Sequence, residues 1–479
     1  MNGDNEVDVI VLGVGTSGED LSLRLLGAGL TVVGIEAALV GGECAYWACL
    51  PSKMMIRAAS ALQEARRVEG LAGRAEVTPD WTPVAARVRT EASGGWDDAI
   101  AVARFEGRGG RLVHGRGKLV GPRTVAVGDE RFTARLGIVI ATGSKPAIPQ
   151  IPGLDDVDYW TTHDVIAAEE LPASLLVLGG GAVGSELGQV LARFGVQVTI
   201  VEAAGHLLPA EEPEAAAALQ VAFAAEGISV HTGTAVQRVA SRSGLIAVTL
   251  DSGVELAAER LLVATGRKVD LSGLGLEAAG LDGTAPFLAV DERMRAAEGI
   301  WAMGDVTGKA MFTHVALYQA AIIAAQFLGE EHPAARYDAV PRVTFTDPQV
   351  AAVGMTEAEA VAAGLDVVVA VKQLPATFRG WLHRAESGVI KLVVERETGV
   401  VLGATAAGPQ GGEMLGLLSL AVHARVPLAA LRSMIYAFPT FYAGIGEAIG
   451  AYGRGLATVI DPAYEGFWAL DAVGAAVDL

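Results

Sequence analysis

The sequence predicts an α/β fold with two Rossmann-like units, on three observations. A β-branched run followed by a glycine-rich turn and an apolar pattern of helical period occurs twice. Each unit continues into a second β-branched run that ends on a glutamate. At 479 residues, 51% of them hydrophobic, the chain exceeds one core of ordinary size, so two to four domains are expected.

The first unit is "VDVIVLGVGTSGEDLSLRLLGAG", with Gly13, Gly15 and Gly18 in G-x-G-x-x-G spacing. The first glycine permits the tight turn, the second lets backbone approach a pyrophosphate, and the third lets helix pack on strand. "LTVVGIEA" then supplies a strand ending at Glu36, where a carboxylate meets a ribose 2′-hydroxyl. The second unit, "SLLVLGGGAVGSELGQVLARFGVQVTIVEA", repeats this with Gly179, Gly181, Gly184 and Glu202. A glycine turn without a ligand is the plain alternative for either unit, and finding two in one chain weakens it. Two nucleotide-bearing cofactors are implied. Glu202 accepts from a free 2′-hydroxyl and repels a 2′-phosphate, and no arginine follows in "EAAGHLLPAEE", so NADH is favoured over NADPH. His206 is the one nearby residue that argues otherwise.

Between the units lies "GGECAYWACLPSK", Gly41 to Lys53, holding Cys44 and Cys49, the only cysteines of the chain. Zinc needs about four nitrogen or sulfur ligands, and no further cysteine exists to complete a site, so no metal is expected. A structural disulfide closing so short a loop would constrain the unfolded chain little. Two unrelated thiols or a redox pair remain. In a regular helix, residues i and i+5 lie about 8.7 Å apart at Cα, beyond the ~7 Å limit for a disulfide, so the backbone must deform to close one. NADH and a dithiol need an intermediary that takes hydride on one side and passes electrons to sulfur on the other, which is what a flavin does. Two dinucleotide sites and one dithiol therefore suggest FAD with NADH.

Composition narrows the class of partner. Net charge is −19, with no lysine–arginine cluster of the kind that follows a phosphate backbone, so nucleic acid is not expected. The N-terminus has no positively charged n-region, and apolar runs such as "AIIAAQFL" stop short of the ~20 residues of a spanning helix. A soluble cytoplasmic protein with no membrane partner is expected, and in a reducing compartment a disulfide is more often catalytic or sensing than structural.

Taken in order, "CAYWACLPSK", "ATGSKPAIPQIPG" from Ala141, "ATGRKVD" from Ala264, "IWAMGDVTG" from Ile300 and "VTFTDPQVAAVGMTE" from Val343 resemble the flavoprotein disulfide oxidoreductases, of the dihydrolipoamide dehydrogenase and mercuric reductase kind. The resemblance runs over nearly the whole chain. It implies an FAD domain over 1–150 and 270–335, an inserted NAD(P) domain over 151–269, a C-terminal α+β interface domain over 336–465 and a tail over 466–479, assembled as a homodimer. Carried over by motif, Cys44 is the interchange thiol, Cys49 faces the flavin, and Lys53 lies near flavin N5 paired with Glu186. Asp305 binds the ribityl chain, and His314 in "MFTHVA" falls near the flavin. Gly42, Thr142, Gly143, Ser144, Gly266, Arg267 and Gly304 join the cofactor-binding set. Glu43 stands where the family usually has threonine near the FAD pyrophosphate, and the sequence offers no reason for a carboxylate there.

The resemblance breaks near the C-terminus. The dithiol members carry H-P-T-x-x-E, whose histidine, from the partner subunit, serves the interchange thiol as acid and base. Here "AFPTFYA" places Phe438 at the histidine and Ala443 at the glutamate. General acid–base help is worth ~10²- to 10⁴-fold, so ordinary disulfide turnover should be slow. The expectation is an enzyme passing electrons from NADH through FAD to a Cys44–Cys49 disulfide, then to a small-molecule or soft-metal acceptor that needs no histidine acid. Phe438 would exclude water, leaving Cys44 as a thiolate in an apolar pocket. Two rival readings are a diaphorase or quinone reductase that bypasses the dithiol, and a non-catalytic redox-sensing or complex subunit.

Overall fold

A computed structural model describes residues 5–453. The expected 466–479 tail and the end of the 336–465 segment lie outside these residues. Five sheets occur among the described residues, and three of them organise the chain: two with parallel strands flanked by helices, and an antiparallel one beyond them.

The first is eight-stranded, and its parallel part runs in the order Ile300–Ala302, Glu130–Ile140, Glu6–Leu12, Val32–Glu36, Arg111–His114. Both faces are covered, which is why the strands read as unbroken apolar runs: Val9, Ile10, Val11, Ile138, Val139 and Ile140 are wholly buried. The helix Thr16–Gly27 buries Leu21 and Leu25 on one face, and the helix Thr313–Leu328 packs beside it.

A second sheet, four-stranded and wholly parallel, runs Ser229–His231, Gln197–Val201, Ser174–Leu178, Arg260–Val263. The helix Ala182–Arg193 follows its glycine turn. A three-stranded antiparallel meander, Val236–Arg242, Leu245–Leu250 and Glu255–Ala258, interrupts this unit and packs through Val239, Val248 and Leu250.

The third sheet has five antiparallel strands between Pro341 and Gly408. The helix Gly411–His423 and the helix Ala443–Gly453 pack on it, with Ile390, Leu392, Leu418 and Ile445 at the centre of the core. These three sheets make an α/β chain with two Rossmann-like units and a C-terminal α+β unit.

Topology places the first set of motifs together. Gly13 follows the strand ending at Leu12, Thr142 to Ser144 follow Ile140, Gly304 and Asp305 follow Ala302, and Glu36 closes its own strand. All stand at the carboxyl edge of one parallel sheet, where open α/β sheets hold ligands. Gly179 and Glu202 occupy the same edge of the second sheet, while Gly266 and Arg267, past its strand Arg260–Val263, lead into a pairing of Arg267–Lys268 with Lys145–Pro146.

Candidate active site

The segment between the cysteines is not a regular helix. Gly42–Tyr46 forms one short helix carrying Cys44, the chain breaks at Trp47 and Ala48, and Cys49 opens the eighteen-residue helix Cys49–Arg66. Ala48, at φ −142° and ψ −96°, makes the break, so the backbone deformation expected from the spacing is present. Trp47 stacks on Trp96 at 5.2 Å and on His163 at 4.5 Å, which holds the turn in place.

Both cysteines are free thiols and both meet one hydroxyl. Thr313 Oγ1 donates to Cys44 Sγ at 3.1 Å and lies 3.5 Å from Cys49 Sγ. The two sulfurs titrate in opposite directions. The hydrogen bond from Cys44 draws the Cys49 thiol well down, against burial, with help from Thr313 and the charge of Lys53. Cys44 moves up, because its proton is held by Cys49 and burial disfavours its charge. The surroundings thus favour ionisation of Cys49 over Cys44, the sulfur for which the sequence alone suggests a thiolate. The reason is position: Cys49 opens a long helix, whose N-terminus favours an anion, and Lys53 lies one turn on. Lys53 Nζ donates to Glu186 Oε2 at 2.7 Å, so the expected pair is formed between the dithiol helix and the helix of the second glycine turn.

The two glycine turns are near copies. A Cβ on Gly13 would lie 2.3 Å from the Ala141 carbonyl oxygen, and one on Gly18 would lie 2.1 Å from that of Gly13. The second turn repeats both contacts, Gly179 with the Ala264 carbonyl and Gly184 with that of Gly179. Gly15 and Gly181 begin their helices without a side-chain cap, so the first N–H groups are left for a ligand. Glu36 accepts from Val14 N at 2.7 Å and Ala38 N at 2.8 Å, and Glu202 accepts from Gly180 N and Ala204 N at the same two distances. The carboxylates thus brace the turns as well as standing where a ribose would arrive. Two nucleotide pyrophosphates fit these cradles.

Residues 7–320 match the pyridine nucleotide-disulphide oxidoreductase family, and residues 340–449 match its dimerisation domain. The chain belongs to that family. A dihydrolipoyl dehydrogenase of Thermus scotoductus is 34% identical over 461 residues, covering 93% of this chain and 97% of its own. A mercuric reductase of Shigella flexneri is also 34% identical, covering 93% and 81%. Among solved structures, the HOCl-induced flavoprotein disulfide reductase RclA of Escherichia coli superimposes with a TM-score of 0.81 at 27% identity, covering 92% of this chain and 99% of its own. LpdA of Mycobacterium tuberculosis gives 0.82 at 27% identity, covering 93% and 99%. The chain is accordingly a flavin-dependent pyridine nucleotide-disulphide oxidoreductase that uses FAD and a pyridine nucleotide.

The remaining family positions fall in three places. Ser144, Arg267 and Asp305 meet directly: Ser144 Oγ donates to Asp305 Oδ2 at 2.5 Å, and Arg267 Nε donates to Ser144 Oγ at 2.7 Å. Gly42 packs on Gly15, where a Cβ would reach the Gly15 Cα at 2.8 Å, so the dithiol segment abuts the first cradle. Thr142 and Gly143 continue the loop after Ile140 at its rim, as Gly266 and Gly304 do on theirs. His314 instead faces outward, donating from Nε2 to the Pro341 carbonyl at 2.9 Å and stacking on Phe312. Its neighbour Thr313 is the residue that meets the sulfurs, and a lone threonine opening a helix carries no sequence signal for that role. Phe438 is 67% exposed and packs edge-on against Phe378 at 5.0 Å, on the C-terminal unit; Ala443 opens the following helix. Among the described residues no group of three or more His, Cys, Asp or Glu side chains is placed to hold a metal, and no helix is long and apolar enough to cross a membrane.

Proposed function

We propose that this chain oxidises NADH and delivers the electrons through the Cys44–Cys49 pair to a thiophilic acceptor, a soft metal ion or an activated disulfide, with no histidine acid. The observation that carries the reading is the setting of the two sulfurs: Cys49 opens a long helix with Lys53 one turn on, and the Thr313 hydroxyl meets both, which favours a charge on Cys49 and a proton on Cys44. Bound FAD supplies the means to take hydride from a nicotinamide and pass an electron pair to a disulfide. The rest is done by the chain. Cys49 leaves as a thiolate stabilised by Lys53 and Thr313, while Cys44 takes up one proton. A soft metal ion then replaces that proton at Cys44, because metal ligation by a thiol itself expels the proton, and takes up the electron pair as the Cys44–Cys49 disulfide re-forms. A disulfide acceptor qualifies only when its leaving thiol is acidic enough to depart unaided.

The relatives support this choice of acceptor. Mercuric reductases are among the chain's relatives, and RclA has been crystallised as a Cu(II) complex. NADH is preferred because Glu202, fixed by two backbone N–H groups, would face a 2′-phosphate with a fixed negative charge, and His206 turns its Nδ1 to the Leu207 carbonyl. A homodimer is supported by the dimerisation-domain match and by Ile435, 96% exposed, beside Phe438. In that assembly Phe438 of a second copy covers the dithiol and keeps water from Cys44.

Anaerobic titration tests the reading. NADH should deliver two electron pairs per chain and produce a long-wavelength thiolate–flavin charge-transfer band, with NADPH reacting about tenfold more slowly or worse. Cys44→Ala should abolish reduction of the acceptor. Uptake of a single pair, or full acceptor reduction by the variant, would reassign the protein to a diaphorase that uses FAD alone.

A further inference from the structure

The helix Ala182–Arg193 carries three polar side chains, Glu186, Gln189 and Arg193, spaced to share one face. They are 5%, 3% and 3% exposed, so each must find partners inside the protein. All three find a partner on one short segment of the C-terminal unit, residues 345–347, and Gln189 and Arg193 also bond Glu226, at 3.0 Å and at 2.6 and 2.8 Å. Phe345 N donates to Glu186 Oε1 at 2.8 Å. Asp347 N donates to Gln189 Oε1 at 2.8 Å, and Gln189 Nε2 donates to the Asp347 carbonyl at 2.9 Å. Arg193 Nη2 donates to Asp347 Oδ2 at 2.9 Å. The other oxygen of Glu186 is the one that holds Lys53.

The same segment touches the dithiol helix directly. The Lys53 ammonium lies 4.9 Å from the centroid of the Phe345 ring. At the far end of that helix, Arg67 pairs with Asp347 at 2.7 Å. Phe345 therefore holds Lys53 twice, by its ring and through Glu186. Lys53 is in turn one helical turn from Cys49, on the same face of the helix.

We propose that Phe345 is a positioning residue for Lys53, locked in place by the pairing of Gln189 and Arg193 with Asp347, and that it thereby sets the charge at Cys49. This rests on Cys49 being the thiolate of the working dithiol. The charged or titratable groups that act on Cys49 are Lys53 from its own helix and Cys44 from the preceding one, with Glu186 acting through Lys53. Releasing Lys53 into solvent removes a nearby positive charge and disfavours the thiolate.

The test follows the charge-transfer absorbance of the NADH-reduced holoenzyme against pH. Phe345→Leu keeps bulk and loses the ring face; Phe345→Tyr keeps both. Phe345→Leu should raise the midpoint by about half a pH unit to one unit, the size of a partly desolvated cation–π contact. Gln189→Met should move it in the same direction, and Phe345→Tyr should leave it with the parent. An unchanged midpoint in Phe345→Leu overturns the proposal, as does an equal shift in Leu and Tyr variants, which would mark a packing effect. If the parent shows no charge-transfer band, the proposed function has failed instead. The positioning claim is then read from the pH dependence of iodoacetamide alkylation of the reduced protein, with the same expected and overturning outcomes.

Discussion

Glu43 shows how a residue without a sequence rationale acquires one from its neighbours. Burial alone would raise its carboxyl, but the hydrogen bond from His163 Nε2 at 2.9 Å, with the charges of His163 and Arg267, brings it below its ordinary value. Arg267 reaches on to Ser144, so the carboxylate sits in a balanced chain and not as a bare charge beside the first cradle. Glu447 is the opposite case. Burial pushes its carboxyl up to about 6, and the single bond from Phe378 N, at 3.4 Å, offsets little of that. A folded value above the unfolded one means the protonated form favours folding, and that contribution is lost as pH rises from the ordinary carboxyl range through about 6. Glu447→Gln should therefore stabilise the protein by on the order of 1–2 kcal/mol at pH 8, with the difference gone below about pH 4. Urea unfolding at the two pH values checks it.

At the scale of elements, short-range spacing was legible and long-range pairing was not. The glycine turns and their terminal glutamates depend on residues within one strand-turn-helix unit, so Gly13, Gly18, Gly179, Gly184, Glu36 and Glu202 could be read from spacing alone. The meander over 236–258 could not, because its alternation and its Ser243–Gly244 and Ser252–Gly253 turns mark strands without marking where they pair. Phe345 and Thr313 escaped for another reason: each acts on a side chain more than 200 residues away, through one ring and one hydroxyl. The strand Val389–Glu395 gives a further example, since it reads as plainly apolar yet carries Lys391 into the core. Lys391 is 2% exposed and pairs with Glu212, Glu214 and Glu357 at 2.8–2.9 Å. Burial alone would lower its ammonium, but the three carboxylates hold it well above the usual lysine range. Lys391→Met would leave three carboxylates around an apolar side chain, at a cost of about 3–5 kcal/mol. Denaturant titration should show the loss at neutral pH, and an unchanged midpoint would mean the carboxylates are solvated in solution.

At the scale of the whole molecule, buried polar contacts join the three sheets. The Lys391 cluster ties the second sheet's helix Pro213–Ala225 to the C-terminal unit, and the Asp347 cluster ties both to the dithiol helix. Such pairs are poor sources of net stability but penalise every arrangement that separates them. What the chain leaves open is the apolar edge at Met434, Ile435 and Phe438, on the segment that matches a dimerisation domain. Rebuilding the expected dyad there, with Phe438→His and Ala443→Glu together, should raise reduction of ordinary disulfides by at least tenfold if acid–base help is what limits it. Steady-state rates with a dithiol-linked substrate measure this, and no gain would assign the limit to the shape of the pocket.

The single hydroxyl of Thr313, shared by two sulfurs that hold one proton between them, also fixes how the centre answers to acidity. Loading an electron pair onto the Cys44–Cys49 disulfide consumes one hydrogen ion and not two. Above the Cys49 titration at about 6, where only Cys44 holds a proton, the midpoint potential then falls by about 30 mV for each unit of rising pH, half the slope below it. The nicotinamide couple also exchanges one proton per electron pair, so in that range the drop in potential from donor to dithiol is the same at every pH.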